Sequence, residues 1–441
     1  MSTSLGRTAK KGCFMRTIAL ATVALALTAP AAAEISLEEI DAAARAVEPR
    51  MIEWRRDFHA HPELSNREVR TSEVIARRLK ALGLEVHTGI ARTGVVGLLR
   101  GAKPGRTIAL RADMDALPVT EQTDVPFKST VQTQFRGETV GVMHACGHDA
   151  HVAIALAAAE VLAGMRDKLS GQVLFIFQPA EEGPPEGERG GARVMLEEGV
   201  FKIAKPDAIY ALHVMASLPT GVIGYRAGPL MAGADEFAIR VQGRQTHGSR
   251  PWAGVDPIIV SAQILMGLQT IVSRQVDITQ VPAVITVGAI KGGIRFNIIP
   301  DSVEMIGTLR TFDPEVRKDI IRRMESTAGQ IAASSGASAT VSVRPEIAIP
   351  PVINDQKLTQ AALPLFERLV GAENVQQIGL QTVADDFSFF GTEVPALYFW
   401  VGITPRDRDP QTVAFNHSPL FYLDEAGMLT GLKAMLALAT Q

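Results

Sequence analysis

The sequence is poor in cysteine, with two in 441 residues, and poor in aromatic residues, which make up 5%. Two cysteines, Cys13 and Cys146, cannot build a disulfide framework, so the fold has to rest on a hydrophobic core. Basic charge is not in excess either. The formal net charge is -3, which leaves no electrostatic footprint for nucleic acid and argues against it as a partner. The one pronounced apolar run, Thr17 to Ala29, is too short to anchor the chain across a bilayer. Internal repeats and low-complexity tracts are lacking. What is present is ordinary for a soluble globular protein: 46% hydrophobic and 21% charged residues, in a chain long enough for two or three domains.

The first residues read as an address rather than as fold. Arg7, Lys10, Lys11 and Arg16 precede the apolar run, and "PAAA" precedes Glu34. This three-part pattern predicts a secretory signal peptide over 1–33, with a periplasmic or secreted product and no stable membrane anchor after cleavage. Cleavage would remove Cys13 and leave Cys146 alone. A lone thiol in an oxidising compartment has to be buried or bound.

Further on, Ser36 followed by Glu38 and Glu39 reads as a helix start, and "REVRTSEVIARRLKALG" as a second helix closed by Gly83. "GVVGLLRG", "TIALRADMDAL", "GQVLFIFQ" and "PDAIYALHV" read as strands, and "AHVAIALAAAEVLAGM" as an apolar helix. Strands alternating with helices predict an α/β sheet covered on both faces. The middle of the chain reads instead as βαββαβ, a self-contained unit whose ends meet and which can be inserted into another domain. The predicted organisation is a catalytic domain over 34–231 and 345–441, interrupted by a lid over 232–344.

Five places put metal-ligand residue types just past an apolar strand: Asp113 and Asp115, Cys146 and His148, Glu181 and Glu182, His213, and His417. In open α/β sheets, ligands bind outside the carboxyl ends of the strands, so residues distant in sequence can converge there. Taken singly, a lone Cys is most often a small buried hydrophobe, and a lone His a surface or satisfied core residue. Taken together, imidazole, thiolate and carboxylate at five strand ends point to a transition metal. Gly147 would let the chain turn tightly, so that Cys146 and His148 face one cavity. A metal would also hold Cys146 as thiolate.

"RRDFHAHPELS", "ALRADMDALPV", "MHACGHDAHVAIAL", "QPAEEG", "THGSRPWAGVDPI", "FNIIPDSVEMIGTLRTF" and "NHSP" give the chain its resemblance. It resembles the dinuclear metallohydrolases of the aminoacylase and carboxypeptidase type. Within them it is most similar to the N-acyl amino acid amidohydrolases, hippurate hydrolases and indoleacetyl-amino-acid hydrolases. The resemblance implies two divalent metal ions, zinc or else manganese or cobalt, bridged by Cys146. Their shells would be completed by His148, Glu182, His213 and His417. It implies Glu181 as general base, with Asp115 in support. It further implies a ferredoxin-like lid that makes a homodimer or higher oligomer, with His247 reaching a neighbouring subunit's site to steady the oxyanion. Asn297 and Arg310 would grip the substrate carboxylate. The implied reaction is cleavage of N-acyl or aromatic acyl amino acids into a carboxylic acid and a free amino acid. The alternative is a dipeptidase or carboxypeptidase with the same site. Asp385 in "DDFSFF", the polar "PPEGERGGA" and Asn66 depart from the common pattern of these relatives.

Overall fold

The computed structural model describes residues 35–440; the segment read as a signal peptide, 1–33, lies outside the described residues. The first helix, Leu37–Ala60, begins where the sequence placed a cap. The Ser36 hydroxyl accepts from the Glu39 N–H at 3.2 Å, and the Glu39 carboxylate accepts from the Ser36 N–H at 3.0 Å. A reciprocal cap of this kind stabilises a helix by about 1 kcal/mol. The helix buries Ile40, Ala44, Val47, Met51, Trp54 and Phe58, a stripe at three- and four-residue spacing that faces the core.

Among the described residues the larger sheet has eight strands. Its centre is four strands in the order Ser170–Gln178, Lys103–Asp113, Ala208–Pro219 and Ala396–Thr404, all running parallel. They read as nearly unbroken apolar runs because both faces are covered. On one face lie the helices Leu37–Ala60, His148–Gly164 and Ala426–Ala439, and on the other lie Gly191–Glu197 and Ser388–Glu393. Parallel strands bring their carboxyl ends to one edge. Asp113 and Gln178 are register partners there, so the segments carrying Asp115 and the two glutamates leave the sheet side by side.

The inserted unit is a second, wholly antiparallel sheet in the order Ala283–Gly292, Ser302–Thr311, Gly233–Gln242 and Ser338–Val343. Helices Pro257–Gln275 and Pro314–Ser334 cover one face and close a core containing Phe237, Ile264, Leu268, Met305 and Met324. Each helix starts with an Asp cap, Asp256 or Asp313, followed by proline at the first helical position. Elements and pairing together make the unit a ferredoxin-like βαββαβ.

Three placements differ from the sequence reading. Cys146 and His148 follow no apolar strand of the main sheet; they stand at the start of the His148–Gly164 helix. His213 is not past a strand end. It lies inside Ala208–Pro219, because that strand keeps pairing with Ala396–Thr404 beyond it. His417 is not at a strand end either; it lies in the loop before the Ala426–Ala439 helix, in left-handed backbone with φ 73°.

Candidate metal centre and active-site cleft

Asp115 organises the cleft from beneath. Its carboxylate accepts the Ser65 hydroxyl at 2.7 Å and the backbone N–H groups of Glu181 and Glu182 at 3.1 and 3.0 Å. The His148 Nδ1–H donates to the Asp115 carbonyl at 2.9 Å and lies 3.3 Å from its carboxylate. The Asp115 side chain therefore sets both glutamates, and its backbone carbonyl, by engaging Nδ1, leaves the His148 Nε2 free. That Nε2 is buried and has no hydrogen-bond partner.

Gly147 sets the adjacent corner. Its φ is 96°, and a β-carbon there would meet the Val214 Cγ2 at 2.3 Å. Cys146 and His148 flank it, and Val214 follows His213, so three donors depend on this approach. The Cys146 Sγ lies 3.2 Å from the His213 Nε2. His213 Nδ1–H donates to the Val214 carbonyl at 2.7 Å, which leaves the Nε2 lone pair facing the thiol. Asn416 stitches in the last element. Its amide donates to the carbonyls of Cys146 at 3.0 Å and Val214 at 3.2 Å. Beside it, the His417 Nε2 lies 3.0 Å from the Glu182 Oε1.

The donors fall into two threes that share Cys146. Cys146, His148 and His213 have ligand atoms within 4.8 Å of one another, as do Cys146, Glu182 and His417. A buried donor atom with no partner, His148 Nε2, would be costly in a metal-free design, because it has given up water for nothing. Two divalent cations, one held by each three, would resolve that cost. Charge agrees. Burial, with Glu182 and Glu181 nearby, pushes the Cys146 thiol well above its usual range. Burial holds His213 well below its own, leaving it neutral. Burial opposes charging His148, but Asp113 and Asp115 outweigh it and push the ring up to about 10. Burial and the nearby Asp385 and Glu182 push Glu181 well up. The pocket is short of positive charge, and cations would supply it.

Asp113, which the sequence offered as a donor, is already engaged: the Arg111 Nη1–H and the His151 Nδ1–H both reach it at 2.5 Å. The His151 Nε2 accepts the Val214 N–H at 2.9 Å, so both its nitrogens are engaged as well. Arg111, missed in the sequence, is a wholly buried hub that also bonds Gln178 at 2.9 Å and Asp385 at 3.1 Å. Its signal was an arginine inside an apolar strand two residues before an aspartate.

Cys146, Glu181, Glu182, His213 and His417 open into one cavity of about 560 Å³. Arg310, from the lid strand Ser302–Thr311, lines the same cavity and makes no side-chain hydrogen bond or ion pair among the described residues. Asn297 and His247 are absent from this lining. They sit together at the tip of the lid, where Thr246–His247 pairs with Ile298–Ile299. His247 is exposed, its Nδ1 accepting from Ser249 at 2.7 Å, and the Asn297 side-chain oxygen is buried without a partner. The single chain therefore brings Arg310 to the cleft and leaves His247 and Asn297 away from it.

A carboxylate-rich cleft with donors for two cations, at the carboxyl edge of a parallel sheet and beneath an inserted ferredoxin-like unit, defines a metal-dependent hydrolase of amide bonds. The comparisons with known proteins agree. Residues 109–441 match the model of Peptidase family M20/M25/M40, and the chain belongs to that family. It is 40% identical to the thermostable carboxypeptidase 1 of Saccharolobus solfataricus, over 92% of this chain and 98% of that one. It is 38% identical to an N-acetylcysteine deacetylase of Bacillus subtilis, over 90% and 97% of the two chains. Among solved structures, a dinuclear metal binding peptidase of family M20 from Bacillus subtilis superposes with a TM-score of 0.75. It is 36% identical, with 90% of this chain and 98% of that one covered.

Proposed function

We propose that the protein hydrolyses N-acyl amino acids, releasing a carboxylic acid and a free amino acid. The observation that carries this reading is Arg310: an unpaired guanidinium in the same cavity as Glu181 and the shared thiol. A guanidinium suits a planar carboxylate by paired hydrogen bonds. A substrate held there by its carboxylate presents the amide nitrogen on the adjacent α-carbon. Two divalent cations held by Cys146, His148, His213, Glu182 and His417 would polarise the amide carbonyl and acidify water. Glu181, in the same cavity as the candidate ligands, takes the proton of the attacking water and returns it to the departing amine. Thiolate and imidazole donors suit zinc, with manganese or cobalt as the alternatives.

The dipeptidase or carboxypeptidase reading stays beside this one, because the 40% identical relative is named a carboxypeptidase and such substrates also end in a free carboxylate. The two part at the nitrogen side. Amine release measured across N-acetyl, N-benzoyl and indoleacetyl amino acids and across dipeptides separates them. Turnover of dipeptides alone would reject the N-acyl reading.

The active form is a homodimer made through the lid, acting in the periplasm or outside the cell after loss of 1–33. Supporting this is an apolar lid surface: Ile294 and Phe296 are 98% and 94% exposed, with Trp252, Ile259 and Met266 also uncovered. Such a surface suits a second copy. Dimerisation would bring one chain's His247 and Asn297 to its partner's cleft, where an imidazole donor steadies the developing oxyanion. Mixing Glu181→Gln with His247→Ala protein should then restore activity through mixed dimers, to roughly a quarter of wild type, because Glu181 contributes through proton transfer and His247 through the oxyanion. Mere averaging of the two mutants after subunit exchange would reject the shared site.

A further inference from the structure

The lid sheet has two faces, and its helices cover one. Phe237, Ile239, Met305 and Leu309 belong to the core under those helices. Alternate residues along the same strands face the other way. On the central pair of strands, Ala234 stands opposite Arg310, Glu236 opposite Thr308 and Ala238 opposite Ile306. On the other side of Ser302–Thr311, Val284 pairs with Arg310 and Thr286 with Thr308. Between Val287 and Ala289 the register shifts. Gly288 is the extra residue there, a β-bulge that leaves the edge of this face without a side chain. A β-carbon at Gly288 would meet nothing within 4 Å.

The result is a groove of about 450 Å³ on the open face, lined by Thr286, Gly288, Ile306, Thr308 and Ile347. Ala234 and Arg310 line this groove and the metal cleft alike, so the two spaces meet at Arg310. The other charges of the groove are already paired. The Glu236 carboxylate accepts from the Arg344 guanidinium at 3.0 Å, and the buried Asp235 is held by Arg317 at 2.6 Å. Ile347 is 43% exposed and offers apolar surface. None of the apolar side chains invoked above for dimerisation lies in this lining, so the groove does not compete with that surface.

The α-carbon of an amino acid carries a carboxylate, a nitrogen and a side chain. With the carboxylate on Arg310 and the nitrogen directed to Glu181 in the cleft, the side chain is the group left to place. The groove is the second space that meets Arg310. We propose that the groove on the open face of the lid sheet receives the side chain of the substrate's amino acid. The lid then selects that residue, favouring a leucine-sized apolar side chain over glycine and over glutamate. This rests on the N-acyl amino acid reading above. Ile306 and Ile347 gain by covering an apolar side chain. A carboxylate there would give up water and find no free cation, since Arg310 is taken by the substrate's own carboxylate.

The test measures kcat/KM of the metal-loaded protein on N-acetyl derivatives of glycine, leucine and glutamate, which share one acyl group. Wild type should prefer leucine to glycine by about tenfold or more, the scale on which apolar pockets discriminate. Gly288→Leu puts a side chain where the structure has open space. It should lower the leucine-to-glycine ratio by about tenfold, through KM. Ile347→Lys puts a cation in the groove and removes an apolar contact. It should raise the glutamate-to-leucine ratio by about fivefold or more, with glutamate turnover itself rising. A gain for glutamate is not something that damage to the fold produces, so Ile347→Lys decides alone should Gly288→Leu fail to fold. A wild type that does not favour leucine, an unchanged ratio in Ile347→Lys, or a loss in Gly288→Leu equal on all three substrates overturns the side-chain assignment alone. So does a shift from dimer to monomer by sedimentation with the ratios unchanged, which would make the groove an interface between copies. No turnover of any N-acyl amino acid by metal-loaded wild type overturns the underlying reading and this inference with it.

Discussion

Gly147→Ala tests how the corner between Cys146 and His148 is built. The substitution adds one carbon, but at a φ of 96° and 2.3 Å from the Val214 Cγ2. Left-handed backbone costs a residue with a β-carbon about 1–2 kcal/mol. Val214 is fully buried and cannot retreat into solvent. Overpacking a filled core adds about 1–3 kcal/mol. Together the expected destabilisation is on the order of 2–5 kcal/mol, and any relaxation moves Cys146, His148 and His213 away from one another. Denaturant unfolding in the presence of chelator measures the first effect without the metals. Metal content after reloading measures the second. Removing the Val214 methyls by Val214→Ala should relieve the contact but leave the backbone strain. The double variant should then be less destabilised than the sum of the two singles, by about 1–3 kcal/mol. A Gly147→Ala protein within about 0.5 kcal/mol of wild type, with full metal content, would refute this account of the corner.

Glu181→Gln should keep its metals and lose about a hundred- to ten-thousand-fold in kcat; activity within threefold of wild type, or lost metal, would reverse the roles of the two glutamates. Asp115→Ala should weaken metal binding by about 10–100-fold, read by chelator competition, since its carboxylate holds both glutamate N–H groups and lies 3.3 Å from the His148 Nδ1; unchanged affinity would remove it from the support of the site. Arg310→Ala should raise KM for carboxylate substrates by about 10–150-fold while sparing the corresponding carboxamides, because one charged hydrogen-bonding partner is lost; equal effects on both would mean that Arg310 does not grip the carboxylate.

The sequence carried the chemistry further than the geometry. Cys146, Gly147 and His148 are adjacent, so their convergence is local and their roles could be read from the motif. The Glu181–Glu182 pair follows a strand and was legible for the same reason. The βαββαβ order was legible because strand and helix periods differ and each lid helix announces itself with an Asp cap and a proline. His213 was misplaced because an apolar strand gives no sign of where its pairing stops: Met215 and Ala216 continue it. His417 was misplaced because its position is set by Asn416 reaching Cys146 and Val214, contacts across 270 and 202 residues that no local pattern encodes. Arg111 was passed over because a charge within an apolar strand has meaning only once Asp113 and Asp385 surround it. The 132–141 hairpin was missed since its turn uses Arg136 and Gly137 rather than the Asn-Gly or Asp-Gly pair that signals such turns.

The account's central claim is that catalysis runs on two divalent cations held by Cys146, His148, His213, Glu182 and His417. Metal analysis of the purified protein, coupled to amine release from an N-acyl amino acid before and after chelation, tests it most directly. The account predicts two ions per chain, loss of turnover on their removal, and recovery with zinc, manganese or cobalt. Full turnover by protein shown to be free of metal would contradict it.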